Sequence, residues 1–264
     1  MFMFGCLIVR YEPQTWNFQA SGLLSSVLFL YFYSMRPSKL LLLRGILFTA
    51  FLFIAFWTLA PGLAKNLFPE SQFYSGTFLI TRIFCWFIVG ILWNYSNKME
   101  QRSLLILKPQ SQKPHFYYFS VLGLIAINYT GAIILSYILM YFKWQPGGDH
   151  EAKTMIGLFK NNNSLLYLTA LTAGVTEELI FRGYLQTRIA ELLKGGVWGI
   201  IISSLLFGLM HISGGSILSA IFPVYIGLVH GIYYQKYKNM HVVIVVHFLW
   251  DVFALYALLY SERL

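Results

Sequence analysis

The chain has 264 residues, of which 58% are hydrophobic and only 11% are charged. Soluble globular domains carry about 25% charged residues, so this composition excludes an ordinary soluble domain and indicates a membrane protein. The net charge of +9 could indicate nucleic-acid binding. However, the basic residues fall mainly in short connections between apolar segments, where they fix topology and contact anionic lipid, so we expect no nucleic-acid partner.

Eight apolar segments come near the length of about 20 residues that a transmembrane helix needs. The first and the sixth are short, so seven spans are an alternative to eight. Between the fourth and the fifth segment, Pro146-Gly147-Gly148 indicates a loop. In chain order the segments are Ala20–Ser34, Leu40–Leu63, Gly76–Tyr95, Phe116–Phe142, Ser164–Ile189, Trp198–Ile212, Ile217–Tyr237 and Val242–Tyr260.

This pattern predicts an all-α fold: a polytopic transmembrane helical bundle of about eight helices, forming one domain in the lipid bilayer. Residues 1–142 supply N-terminal helices without a motif, and residues 163–261 supply the helices that carry chemistry. With Met35–Lys39 on the cytoplasmic side, eleven Lys and Arg, Arg188 among them, lie on that side against six opposite. The N-terminus is then predicted to lie outside.

The fifth segment contains two adjacent carboxylates and a guanidinium, in LTAGVTEELIFRGYLQ. A charge at the bilayer centre costs about 2.5 kcal/mol or more, so these residues need compensation or a function. Glu178 and Arg182 are one helical turn apart and can form an ion pair. Glu177 points about a quarter turn away, is left without a partner, and is the candidate general base. The alternative is that all three form one buried ionic clamp between helices.

Two later segments add histidines. SSLLFGLMHIS places His211 one turn after Phe207, and VVIVVHFLWDVF places His247 and Asp251 one turn apart. An Asp in this position can fix the tautomer of the histidine and hold its charge. His230 lies inside a Gly-xxx-Gly pattern, which is typical of close helix packing rather than of catalysis.

In this order, EExxxR at 177–182, FxxxH at 207–211 and HxxxD at 247–251 resemble the signature of the CPBP family of intramembrane proteases. That family includes the type II CAAX prenyl endopeptidases and bacteriocin-processing or immunity-associated relatives. The resemblance covers Ser164–Tyr260 and implies a CPBP-like catalytic core over 163–261.

The resemblance also implies residue roles. Glu177 corresponds to the carboxylate that activates the attacking water, assisted by His211. Glu178 and Arg182, together with Phe207, correspond to the supporting residues.

His247 and Asp251 correspond to the group that binds the oxyanion of the tetrahedral intermediate. The prenyl-protease branch commonly has Asn where this chain has Asp251. An ionised Asp cannot donate a hydrogen bond to an oxyanion. Either Asp251 is protonated, or it supports a cationic His247 that donates.

The same residues suit a catalytic divalent metal such as zinc, with Glu177, His211, His247 and Asp251 as ligands. There is no HExxH motif, and an arginine beside Glu178 would compete with a cation. We expect direct activation by Glu177 with no required metal, and a metal site is the alternative.

We predict a multi-pass endopeptidase in the inner membrane of a prokaryote. Its predicted partner is a membrane-associated peptide or protein substrate, lipidated or ending in a hydrophobic tail. One alternative is a non-catalytic membrane scaffold or immunity protein of the same fold. A proton-coupled transporter is a further alternative, but the internal repeat that it predicts is not visible.

Overall fold

The computed structural model describes residues 37–105, 112–144, 149–160, 162–212 and 216–261. Within these ranges the chain is almost entirely helical. The helices, numbered in chain order, are α1 (Pro37–Leu67), α2 (Phe73–Lys98), α3 (Pro114–Tyr141), α4 (Asp149–Phe159), α5 (Asn163–Leu192), α6 (Gly196–Leu209), α7 (Ile221–Tyr237) and α8 (Met240–Ser261).

Six candidate membrane spans confirm the predicted polytopic helical bundle for the part of the chain that the structure describes. Helix α6 is apolar but shorter, as the sequence predicted. The first predicted span, Ala20–Ser34, lies outside the described residues. The spans are Ser38–Leu67, Glu70–Lys98, Pro114–Tyr141, Asn163–Leu192, Ile217–Tyr237 and Met240–Tyr260.

The connection between the fourth and fifth predicted segments contains the helix α4. The predicted loop at 146–148 itself lies outside the described residues. In α4 the apolar residues Ile156 and Phe159 are buried. The ring of Phe159 packs edge-on against Phe78 of α2, with centroids 6.1 Å apart. Burial of these side chains therefore stabilises a helix that the local Pro-Gly-Gly signal did not indicate.

Helix α5 lies at the centre of the bundle and carries both candidate glutamates. In its most apolar 18-residue stretch, 61% is buried within the protein, against 17% for the corresponding stretch of α3. It packs against α2, α6 and α8. At its start, the Asn162 side chain accepts a hydrogen bond of 3.0 Å from the backbone N–H of Leu165, a standard N-cap.

A glycine lets α5 and α8 approach closely at the level of the site. A Cβ at Gly174 would lie 3.1 Å from the backbone nitrogen of Phe248 and 3.2 Å from the carbonyl oxygen of Ile244. Only glycine allows the two backbones this separation without a shift. The close approach brings Glu177 and Glu178, one turn further along α5, opposite His247.

The C-terminal end of α5 is fixed by a buried cluster that we name the Arg188 clamp: Arg188, Glu100, Ser96 and Tyr184. The Arg188 guanidinium donates to Glu100 Oε2 at 2.8 and 3.0 Å and to Ser96 Oγ at 2.6 Å. It also donates to the carbonyl oxygen of Leu104 at 2.7 Å. The Tyr184 hydroxyl donates to Glu100 Oε1 at 2.9 Å.

Arg188 was counted on the cytoplasmic side, and its side chain is fully buried in this clamp rather than available to lipid head groups. Without it the count is ten basic residues against six, and the orientation stays a prediction.

Candidate active site

The helix that carries both glutamates changes its geometry directly after them. The first α-helical part of α5 ends at Glu178, Leu179–Gln186 is π-helical, and Thr187–Leu192 is α-helical again. Such segments are rare and occur frequently at functional sites. The assumed rotation of 100° per residue therefore fails beyond Glu178, although Arg182 still reaches Glu178.

Glu178 is the fully buried anchor of the site. Its Oε1 lies 2.7 Å from Nδ1 of His247 and 3.1 Å from Nδ1 of His230. Because an ionised carboxylate only accepts, both Nδ1 atoms carry the proton. Its Oε2 lies 3.2 Å from Nε of Arg182, whose guanidinium carbon lies 4.4 Å from the ring centre of Phe207. The structure thus contains the predicted ion pair, with Phe207 covering it.

Glu177 points toward a different set of neighbours, as its position on the helix predicted. Its Oε2 lies 3.8 Å from Nε2 of His211 and 3.8 Å from Nε2 of His247. These separations are too long for direct hydrogen bonds and lie within the range that one shared water molecule can bridge. The expectation that Glu177 has no ion-pair partner was wrong, since its Oε1 accepts a bond of 3.2 Å from Nη1 of Arg82.

His211 follows the end of α6 and is the most accessible of these groups. Its Nδ1 lies 2.8 Å from the carbonyl oxygen of Phe207, and a carbonyl only accepts, so this nitrogen carries the proton. When the ring is neutral, it therefore presents the lone pair of Nε2 toward Glu177. The side chain is 38% exposed, so the ring is not sealed inside the protein.

Asp251 lies one turn after His247 on α8, but it does not hold the histidine in the way the sequence suggested. Its Oδ2 is 3.7 Å from Nε2 of His247, and its side chain is 25% exposed. The short hydrogen bond that sets the tautomer comes from Glu178 on the opposite ring nitrogen. Asp251 instead faces the nitrogen that also faces Glu177, so it can influence the charge of the ring but not its tautomer.

The four candidates come from α5, from the turn after α6 and from α8, and they form one connected group. The contacts run from Asp251 to His247, then to Glu177 and to His211, and the backbone of α5 places Glu178 behind them. The side chains of His211 and Asp251 are partly exposed, while the Glu178 carboxylate is fully buried. The arrangement can bind a water molecule beside a carboxylate and two imidazoles.

Sequence reasoning missed three side chains near the site, namely His230, Asn128 and Arg82. The sequence assigned His230 only to helix packing. The helices do pack closely here, since a Cβ at Gly227 would lie 3.0 Å from Ser204 Cβ. The His230 ring also binds Glu178. Its Nε2 lies 3.2 Å from Nδ2 of Asn128 on α3. Arg82 comes from α2. The rule that intramembrane charges mark function, applied to LITRIFCWF, would have identified Arg82.

The described residues whose ligand atoms all lie within 4.8 Å of one another are Glu178, His230 and His247. The alternative metal ligands predicted from sequence were a different set: Glu177, His211, His247 and Asp251. In that set, Glu177 lies near both histidines and Asp251 lies near His247 only. A cation among these three residues would have to displace two N–H···O bonds and lie beside the Arg182 guanidinium. The donors therefore fit poorly to a metal ion.

Residues 160–253 match the model of the family described as type II CAAX prenyl endopeptidase Rce1-like. This segment contains both glutamates and all three histidines of the site. Searches of the curated proteins and of the solved structures found no match.

Proposed function

We propose, from the match of residues 160–253 to the Rce1-like family model, that the protein is an intramembrane endopeptidase that uses water activated by Glu177. The observation that carries this proposal is the position of Glu177 Oε2, 3.8 Å from the Nε2 atoms of His211 and His247. The Glu177 carboxylate and the imidazoles of His211 and His247 can then bind the same water molecule.

Glu177 is the general base in this proposal. A water bound at Glu177 Oε2 donates one hydrogen to the carboxylate and the other to the lone pair of His211 Nε2. Its own lone pair is then free to attack the carbonyl carbon of the scissile bond. Glu177 takes the proton as the carbon–oxygen bond forms and returns it to the leaving nitrogen.

His247 is the proposed oxyanion donor, and the charge of the group supports its cationic form. Glu177, Glu178 and Asp251 bring three negative charges, and Arg82 and Arg182 bring two positive charges. The third positive charge is supplied when His247 is protonated, and this ring contacts all three carboxylates. Its Nε2–H then donates to the oxyanion.

Asp251 supports that imidazolium in our proposal rather than binding the oxyanion itself. Its oxygen lies beside Nε2 of His247, where an ionised carboxylate stabilises positive charge. A protein with Asp here, in place of the Asn common in the prenyl branch, would thus use histidine as the donor. We expect no required metal, because Arg82 and Arg182 already pair with the two glutamates and would compete with a cation for them.

We propose as substrate a membrane-associated peptide or protein tail, either lipidated or ending in a hydrophobic segment. Support comes from the placement of Glu177 within the span Asn163–Leu192, so that a scissile bond must enter from the bilayer or its surface. The inner membrane of a prokaryote stays our expectation for location. The second candidate, a non-catalytic scaffold, predicts the same bundle without turnover.

The test is incubation of the purified protein, in lipid nanodiscs, with peptides of matched sequence that are prenylated, unmodified or extended by a single span. Mass spectrometry reports each cut, with and without a chelator. We expect one cleavage position in at least one membrane-bound peptide, unaffected by chelator and absent with Glu177→Gln. Cleavage that persists in Glu177→Gln contradicts the proposal, and a wild-type protein that cuts no peptide supports the scaffold.

A further inference from the structure

Arg82 lies near the middle of the span Glu70–Lys98, outside the segment that matches the family model. A guanidinium in this place is costly unless it is paired or used. We infer that Arg82 is a positioning residue of the active site, which fixes the orientation of the Glu177 carboxylate. This inference rests on the proposed function and names a further residue that the reaction needs.

The contacts of Arg82 place it against the reacting group. Its Nη1 donates to Glu177 Oε1 over 3.2 Å, and its guanidinium carbon lies 5.2 Å from the ring centre of Phe78. The side chain of Glu177 is buried, so the two charges interact with little screening by solvent. The aromatic face one turn earlier on α2 limits where the guanidinium can move.

Because of this pairing, the two carboxylate oxygens of Glu177 have different neighbours. Oε1 is held by Arg82, and Oε2 is left facing the two Nε2 atoms of His211 and His247. The terminal torsion of a glutamate is broad, so a carboxylate without such a contact samples many orientations. A fixed Oε1 keeps Oε2 at the point where water must bind.

A second contact joins the same two helices without touching the base. Trp86, one turn after Arg82 on α2, donates from Nε1 to the hydroxyl of Thr172 on α5 over 3.4 Å. The two contacts follow an antiparallel register between α2 and α5. Trp86 therefore offers a matched control, because its loss weakens the packing of the same helices but leaves Glu177 paired.

A purely structural role for Arg82 makes a different prediction. If it only neutralised a buried carboxylate, its loss would lower stability and reduce activity through the folded fraction. A positioning role predicts slower turnover in protein that remains folded, because a shift of the base by about 1 Å can cost roughly 100-fold in rate. Turnover measured per folded molecule separates the two.

The experiment compares Arg82→Met, Arg82→Lys and Trp86→Phe with the wild-type protein, on a peptide that the wild type cleaves. We expect Arg82→Met to lower kcat roughly 100-fold with little change in KM. Arg82→Lys restores part of the rate, because lysine supplies the charge but not the planar fork. Added guanidinium ion raises the rate of Arg82→Met, and Trp86→Phe stays near the wild-type rate.

The inference is overturned if Arg82→Met turns over as fast as Trp86→Phe, or if its loss of rate follows its loss of folded protein. Should Arg82→Met fail to fold, Arg82→Lys decides: a reduced kcat supports the inference and an unchanged kcat overturns it. These outcomes differ from failure of the proposed function, in which the wild-type protein itself cleaves nothing.

Discussion

Two buried ionic clusters lie on α5, one at each end of its π-helical segment Leu179–Gln186, and they differ in how completely their polar groups are satisfied. In the Arg188 clamp, Arg188 and Glu100 are fully buried and joined by contacts of 2.8 and 3.0 Å. At the candidate active site, Glu177 meets two imidazoles only at 3.8 Å. The first cluster is closed, and the second is open.

The difference shows what separates a structural clamp from a reactive group of the same composition. A closed set of hydrogen bonds stabilises the fold and has no capacity left for another molecule. An open set keeps acceptors and donors directed at a point that water or substrate can occupy. Glu178 combines both properties, since it is sealed itself but orients the rings that face the open side.

The largest effect is expected for Glu177→Gln. The amide keeps an oxygen for Arg82 but cannot take a proton from water, so the cleavage rate should fall about 10²- to 10⁴-fold. The melting temperature in detergent should fall less than that of Arg188→Met, because the amide oxygen still accepts a hydrogen bond from Arg82. A variant that folds and still cleaves at the wild-type rate would remove Glu177 from the reaction.

Arg188→Met should show the opposite behaviour. Removing one partner of a buried ion pair leaves Glu100 uncompensated and is expected to cost about 3–5 kcal/mol of stability. Unfolding measured in detergent micelles reports this loss, and cleavage per folded molecule should stay near that of the wild-type protein. Stable but inactive protein would show that the Arg188 clamp belongs to the catalytic group.

His230→Leu tests the sealed side of the active site. It removes one of the two N–H groups that bind Glu178 and leaves Asn128 without its contact, which should cost about 1–3 kcal/mol. Cleavage should be slower but measurable, because His247 still binds Glu178. Loss of all turnover in folded protein would instead place His230 among the reacting groups. Unfolding and rate measurements on the same preparation separate these results.

Ser96→Ala should have the smallest effect. It removes one acceptor of Arg188, whose guanidinium keeps Glu100 and backbone carbonyl oxygens as partners. We expect about 0.5–1.5 kcal/mol of destabilisation and an unchanged cleavage rate. A loss as large as that of Arg188→Met would mean that the serine, rather than the ion pair, holds the Arg188 clamp together.

The features that the sequence predicted correctly are those set by local spacing. Apolar length defined the spans, and the one-turn interval predicted the Glu178–Arg182 pair, which the structure shows at 3.2 Å. The same spacing placed Glu177 on a different side of the helix from Glu178. The spans and the direction of Glu177 follow from regular helix geometry, and the Glu178–Arg182 pair forms although the segment between them is π-helical.

The missed features depend on contacts between distant parts of the chain. Arg82 meets Glu177 across 95 residues, and Arg188 meets Glu100 across 88. No local pattern connects these positions. His230 was missed for another reason: the Gly-xxx-Gly pattern correctly indicates close packing, but close packing is also what brings its ring against Glu178.

The central claim is that Glu177, His211 and His247 enclose a water-accessible point within the bilayer. An electron cryo-microscopy map of the protein in lipid nanodiscs, at a resolution that shows ordered water, tests it most directly. We predict a water within about 3.2 Å of Glu177 Oε2 and of one or both Nε2 atoms. A map in which Glu177 faces acyl chains, or in which its Oε2 is closed by a direct bond to an imidazole with no water beside it, would contradict the account.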